Sequence, residues 1–294
     1  MPALFLHTKT NTVTAQTTIR TILSDATATL SASSPSARLD AELLLCLVTG
    51  WSRAQLIARA NDTIDTTDTL RYHALITRRG QGESVAYLCN EREFYGHAFF
   101  VDARVLVPRP ETELLVACAL AAARILTPDV ILDIGSGSGC IGVTLALADA
   151  APLIIAGDIS AAALAVTAIN CDRHAVTQRM HLLCSDLCTA LVPLTFIVSN
   201  PPYVMDDDSD EDVHQYEPHL ALFGGDDDGC AVYRRLAQLL PHHLRGPGYF
   251  ACEIDPRQCS TVCTLLLSVF PAGRIVVHND LAGHARVVEL WLDA

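Results

Sequence analysis

The sequence predicts an α/β protein with a mainly parallel sheet, preceded by a small helical domain. Three observations carry this prediction. Apolar residues recur at helical spacing through the first eighty or so positions. From Val130 onward short β-rich runs alternate with helical stretches, and a glycine-rich turn follows the first of those runs. At 294 residues, 50% hydrophobic and 18% charged, the chain is long and apolar enough for two domains with real cores.

In the N-terminal part, Arg38 to Val48 predicts a helix whose apolar face carries Leu39, Leu43, Leu44, Leu47 and Val48, with Gly50 as its stop and Ser52 capping a short helix after it. Thr66 or Thr67 opens a third helix running to Arg79 and Gly80. The expected first domain, residues 1–84, is therefore a helical bundle. The second, residues 85–294, begins with two β-rich runs around Gly96 and Asp102, as in a hairpin. Pro108 and Pro110 precede a helix from Glu111 to Ile125. Strands are expected at Val130–Ile134, Leu153–Gly157, Met180–Cys184, Phe196–Ser199, Tyr249–Ile254, Arg274–His278 and Val287–Trp291. The last two have no helix between them, so they should pair antiparallel.

Composition excludes several classes. The longest uncharged run, Leu187 to Met205, contains Pro193, Pro201, Pro202 and Asn200 and fails as a spanning helix. The N-terminus lacks a secretory pattern, so a cytoplasmic location is expected. Eleven cysteines without a Cys-x-x-Cys pair read as reduced core thiols, Cys259 and Cys263 included, and no metal site is expected. A net charge of -13 with no basic stripe argues against a stable nucleic-acid complex and leaves a basic protein as the easier partner. Asp206, Asp207, Asp208, Asp210, Glu211 and Asp212 crowd one loop that lacks calcium-ligand spacing.

Chemistry concentrates in two places. In VILDIGSGSGCIG, a strand enters a turn where Gly135, Gly137 and Gly139, with Ser136 and Ser138 between them, bring backbone amides close to a ligand at a helix N-terminus. Asp158 ends the next strand, 19 residues after Gly139 (158 - 139), where a carboxylate can accept both hydroxyls of a ribose. That much fits NAD and S-adenosylmethionine equally. Asp133, just before the first glycine, favours the latter, since an acid there repels a pyrophosphate and suits an ammonium and a sulfonium. The second place is Asn200-Pro201-Pro202-Tyr203, directly after the apolar strand TFIVS. Two prolines stiffen the loop and leave the Asn200 amide oxygen and the Pro201 carbonyl as fixed acceptors for a planar nitrogen bearing two hydrogens, with Tyr203 able to pack on the flat group. The tetrad resembles that shared by amino-methyltransferases acting on adenine, on cytosine and on glutamine side chains, so alone it leaves the substrate open.

Further runs narrow this choice. LVPRPETELLV (Leu106 to Val116), YLCNEREFYG (Tyr87 to Gly96), ARLDAELLL (Ala37 to Leu45), the YEPHLALFGG stretch continuing to Gly229, and HNDLAGHARVV (His278 to Val288) together resemble the peptide chain release factor N5-glutamine methyltransferase family over nearly the whole length. The resemblance implies a seven-stranded class I methyltransferase fold behind a helical release-factor recognition domain. It also implies transfer of a methyl group from S-adenosylmethionine to the glutamine of the Gly-Gly-Gln motif in bacterial release factors. Ribosomal-protein glutamine methyltransferases usually read Pro-Arg-Ser-Pro where this chain has Pro108-Arg109-Pro110-Glu111. An adenine DNA methyltransferase would share the tetrad, and a catalytically silent docking module that binds a nucleotide cofactor would share the glycine turn. By the same resemblance Phe100, Asp186 and Leu187 line the adenine side of the cofactor site, and Asn200 to Tyr203 hold the glutamine. The chain departs from the family at Leu187, where an aromatic is common, and at Asn90 and Asp255, where glycine is usual.

Overall fold

A computed structural model describes residues 17–205 and 215–293, which leaves the acidic loop Asp206 to Asp212 outside the described residues. The chain divides into two compact units, Met1–Cys89 and Asn90–Ala294.

The first unit contains α1 (Ile19–Leu30), α2 (Ala37–Thr49), α3 (Arg53–Ala58), α4 (Thr66–Gly80) and α5 (Val85–Cys89). Gly50 ends α2 in the left-handed region at φ 70°, Ser52 and Gln55 form a capping box on α3, and the Asp65 side chain caps α4. The expected apolar face of α2 is rotated. Ala37, Ala41, Leu44, Leu45 and Val48 are buried, whereas Leu39 and Leu47 are 40% and 43% exposed. Two small residues set the face, because alanines at 37 and 41 let α2 approach its neighbours closely. The Tyr72 hydroxyl reaches this seam, donating to the Ala41 carbonyl at 3.0 Å. Leu88 of α5 belongs to the same core, and the first compact unit runs to Cys89.

The second unit opens with β1 (Arg92–Phe94) and β2 (His97–Phe99), an antiparallel hairpin turning at Tyr95 and Gly96. The run after Asp102 forms no strand. It is a strap tied down by Glu217, which accepts from the Val107 amide at 3.1 Å and from Arg109 at 2.6 Å. Then follow α6 (Thr112–Leu126), β3 (Val130–Ile134), α7 (Cys140–Leu147), β4 (Leu153–Asp158), α8 (Ala161–Arg173), β5 (Met180–Cys184) and β6 (Leu194–Ser199). The chain continues with α9 (His219–Leu222), α10 (Ala231–His243), β7 (Leu244–Glu253), α11 (Cys259–Val269), β8 (Arg274–Asn279) and β9 (Ala285–Leu292).

Seven strands form one sheet in the order β5-β4-β3-β6-β7-β9-β8. Neighbours from β5 to β7 are parallel, and β9 pairs antiparallel with both β7 and β8, as expected for two consecutive strands without a helix between them. One face buries α6 and α7 against residues such as Ile131, Ile154 and Phe196, and the other buries α10 and α11 against Leu132, Ile197 and Phe250. Burial on both faces explains why the central strands read as continuous apolar runs. The chain crosses from one half of the sheet to the other between β3 and β6, whose register pairs Ile134 with Ser199. A cleft opens beyond the carboxyl ends of strands at such a switch point.

Candidate active site

Residues following Ile134 and Ser199 meet in that cleft. The Ser199 hydroxyl donates to the Ile134 carbonyl at 2.9 Å and locks the two strand ends together. Gly135, at φ 73°, lies so near the next loop that a Cβ there would stand 3.7 Å from the Asn200 carbonyl oxygen. The turn is also pinned to β4, with the Gly135 and Ser136 amides donating to the Gly157 carbonyl at 2.8 and 3.0 Å. A cavity of about 200 Å³ results.

Nine of the residues expected from sequence line this cavity: Gly135, Ser136, Gly137, Ser138, Asp158, Asp186, Leu187, Asn200 and Pro202. Asp158 is held by the Gly137 amide at 2.9 Å and the Ser160 amide at 2.8 Å, and burial raises its carboxyl above the ordinary range despite these donors. Each oxygen keeps a second lone pair for a ligand hydroxyl. Asp186 forms a half-exposed ion pair with Arg235 at 2.6 Å. Leu187 adopts φ 54° in the turn between Asp186 and Thr189, an unfavourable backbone for a leucine that presents its side chain as an apolar wall.

The remaining expected site residues stand outside the lining. Asp133 is fully buried beneath the glycine turn, where its Oδ2 accepts from the Gly142 amide at 3.0 Å and its Oδ1 has no partner. Burial pushes its carboxyl up to about 7. Gly139 caps α7 at φ 80°, and a Cβ there would stand 2.7 Å from the Thr167 methyl, so it serves the packing of α7 on α8. Phe100 is fixed through its backbone: the fully buried Asn170 accepts from the Phe100 amide at 2.7 Å and donates to the carbonyls of Phe100 at 2.9 Å and Ser138 at 2.8 Å. Pro201 is buried, and Tyr203 packs against the core while its hydroxyl donates to Glu253 Oε1 at 2.8 Å.

Sequence reasoning missed the groups that hold the tetrad. Asn200 Nδ2 donates to Thr112 Oγ1 at 3.1 Å, across 88 residues of chain. Glu253 is fully buried at the end of β7, with Oε1 accepting from Tyr203 and Oε2 without a hydrogen-bond partner; burial raises its carboxyl, opposed by the neighbouring Thr112 and Tyr203 hydroxyls and by the charge of Arg286. Its signal was visible as a single acid closing the apolar run Tyr249-Phe250-Ala251-Cys252, since a charge on a central strand needs buried partners. Of the family departures, Asn90 takes the left-handed conformation at φ 51°, which asparagine tolerates better than most residues, and its amide donates to the Val101 carbonyl at 3.2 Å. Asp255 at φ -72° needs no glycine and instead caps a short turn through the Arg257 amide at 2.8 Å.

Away from the cleft, Cys118, His278 and Glu289 bring their ligand-capable atoms within 4.8 Å of one another. There Glu289 accepts from the Tyr249 hydroxyl at 2.9 Å and the Trp291 indole at 3.0 Å, which accounts for it as the acceptor of a buried hydrogen-bond network. Among the described residues no helix is long and apolar enough to cross a membrane.

Residues 21–89 match the PrmC N-terminal domain and residues 110–216 the methyltransferase small domain. A release factor glutamine methyltransferase of Chlorobaculum tepidum is 39% identical over 247 residues, covering 79% of this chain and 83% of that protein. The protein of the same name in Nitratidesulfovibrio vulgaris is 33% identical over 286 residues, covering 94% of this chain and 95% of the relative. Among solved structures, a methyltransferase from Pyrococcus furiosus superposes with a TM-score of 0.51 at 14% identity, over 74% of this chain and 98% of its own, a likeness of fold. With relatives this similar matched along most of their length, the chain belongs to the release factor glutamine methyltransferase family.

Proposed function

We propose that this protein methylates the side-chain amide nitrogen of the glutamine in the Gly-Gly-Gln motif of bacterial release factors, using S-adenosylmethionine. The observation that carries this reading is the shared cavity: the glycine turn after β3 and the Asn200 loop after β6 line one space, in a member of this family. The residues present fit the cofactor. Asp158 offers a carboxylate to ribose hydroxyls, Gly135 and Gly137 leave backbone open where side chains would intrude, and Leu187 and Ile159 supply apolar walls for a flat ring. Bound there, S-adenosylmethionine supplies an electrophilic methyl group on a sulfonium.

An amide nitrogen is a poor nucleophile because its lone pair is delocalised into the carbonyl. The Asn200 side-chain oxygen and the Pro201 carbonyl would accept its two hydrogens, which orients the lone pair away from the loop and favours the pyramidal, partly charged transition state. Pro201 and Pro202 hold these acceptors still, so little reorganisation is needed as charge develops. No side-chain base is required, because the methylated nitrogen is strongly acidic and gives its proton to water. The N-terminal helices are read as the release-factor recognition domain and the cytosol as the place of action.

The experiment is incubation of the protein with labelled S-adenosylmethionine and a release factor, ribosomal proteins or DNA, followed by mass analysis. A methyl group on the release-factor glutamine supports the proposal. Label on adenine, or on a ribosomal protein in place of the release factor, overturns the substrate.

A further inference from the structure

We propose that Gln258 is a positioning residue for the transfer, its side-chain amide fixing the tyrosine end of the tetrad by tying the Tyr203 carbonyl to the neighbouring loop of residues 224–229. This inference rests on the reading of Asn200 to Tyr203 as the loop that holds the substrate amide.

The acceptors offered to the substrate lie between two anchors. At the first, the Ser199 hydroxyl ties the end of β6 to β3 at 2.9 Å. Pro201 and Pro202 then fix two φ angles, so the Pro201 carbonyl moves only as far as the second anchor lets the chain pivot. That anchor is Tyr203. Its hydroxyl is held by Glu253 at 2.8 Å, which restrains the ring. Its backbone is held by Gln258, whose Nε2 donates to the Tyr203 carbonyl at 2.9 Å and to the Asp228 carbonyl at 3.0 Å. Carbonyls only accept, so both hydrogens of the NH2 group are used and the amide has one orientation, with Oε1 left to the Asp255 amide at 3.4 Å. Gln258 is only 3% exposed, which keeps water from competing for either carbonyl. It closes the short turn Pro256–Gln258, five residues after Glu253, so one connection out of β7 grips Tyr203 at its hydroxyl and at its carbonyl.

The loop across the bridge is built for this approach. A Cβ on Gly229 would stand 2.5 Å from the Tyr203 carbonyl oxygen and 2.6 Å from Gln258 Nε2, and one on Gly224 would stand 2.9 Å from the Tyr203 Cα. Neither position admits a side chain without displacing the tetrad. The loop is fastened in turn to α10, because the Asp228 carboxylate accepts from Arg234 at 2.6 and 2.9 Å. The residue after the tetrad is stitched to the same stretch: the Val204 amide donates to the Leu222 carbonyl at 2.8 Å, and the Gly224 amide donates to the Val204 carbonyl at 3.1 Å. Gln258 itself stands outside the cavity lining, so its effect on the reaction passes through Tyr203.

The test compares Gln258→Met, Gln258→Glu and Asn200→Ala in the full-length protein, measuring kcat, KM for the release factor, S-adenosylmethionine affinity and Tm. Methionine keeps the length of glutamine and donates to neither carbonyl. A glutamate donates to one carbonyl when protonated and to none when ionised, so it breaks the bridge on at least one side. Q258M is expected to lower kcat by about 10- to 100-fold, the scale set by misplacing a reacting group, while cofactor affinity stays within about threefold, since the glycine turn and Asp158 are untouched. Q258E should lose kcat in the same sense and by less. Wild-type kcat within about threefold in folded Q258M, with N200A inactive, overturns the role of Gln258 and leaves that of Asn200 standing. Equal losses of kcat and of cofactor affinity also overturn it, because they mark a general disruption of the fold. An active N200A overturns the proposed function itself. If Q258M unfolds, Q258E decides: kcat within about threefold of wild type overturns the proposal, and a kcat loss at unchanged cofactor affinity supports it.

Discussion

Gly135 and Asn200 meet across the switch point of the sheet, with a Cβ on the first standing 3.7 Å from the carbonyl oxygen of the second. That separation is an ordinary contact, so substitution of Gly135 is limited by backbone and ligand, not by collision with protein. At φ 73° an alanine should cost about 1–2 kcal/mol of stability. Its methyl group would also project between the glycine turn and the tetrad. Gly135→Ala is therefore expected to lower Tm by several degrees and to weaken S-adenosylmethionine binding by more than the loss of stability explains, read by calorimetry on the folded variant.

Asn200→Ala separates chemistry from cofactor binding. The side chain touches Thr112 and the cavity, whereas the turn amides and Asp158 stay as they are. Losing one transition-state hydrogen bond of this kind costs about 2.7–4 kcal/mol, a drop in kcat of about 100- to 1000-fold. Cofactor affinity should stay within a few fold. Retained turnover above a tenth of wild type would remove Asn200 from this role.

Asp158→Ala should act on the cofactor instead. The loss of a charged acceptor is worth roughly 1.5–3 kcal/mol, and the Gly137 and Ser160 amides that now donate to it would be left without that acceptor. Titration calorimetry should show the weakened affinity. NAD should bind to neither form, and tighter binding of NAD than of S-adenosylmethionine would overturn the assignment of the cofactor.

The strands were legible because a sheet buried on both faces demands apolar runs of the right length, and all seven occur in the described structure. The least legible boundary is the start of β7. It begins at Leu244, five residues before Tyr249, because Arg245-Gly246-Pro247-Gly248 has the composition of a loop and pairs irregularly with β6. The face of α2 is hard to read for a related reason: leucines at 39 and 47 outweigh alanines at 37 and 41 by hydrophobicity, yet close helix packing selects the small residues. Glycine turn, Asp158 and tetrad each announce themselves within a few residues. Thr112 and Glu253 do not, because what ties them to the tetrad is contact with Asn200 and Tyr203, 88 and 50 positions away, which local pattern does not encode.

Asp133 leads to a prediction about pH. Its carboxyl titrates at 3.8 in an exposed chain and at about 7 in the folded protein, raised by complete burial under the glycine turn. Between these values the folded state keeps a proton that the unfolded state has released. Stability from this group is fully present below about pH 4, declines as pH rises, and is lost above about 7, at about 1.4 kcal/mol per pH unit. Asp133→Asn removes the titrating group and keeps an oxygen for the Gly142 amide. Its NH2 takes the place of the unpartnered Oδ1, which adds a cost that does not vary with pH. The variant should therefore gain on wild type as pH rises from 5 to 8, whatever its offset at pH 5. Urea unfolding of both proteins across that range measures the difference, and a gap that stays constant with pH would mean that Asp133 is ionised in the folded protein throughout.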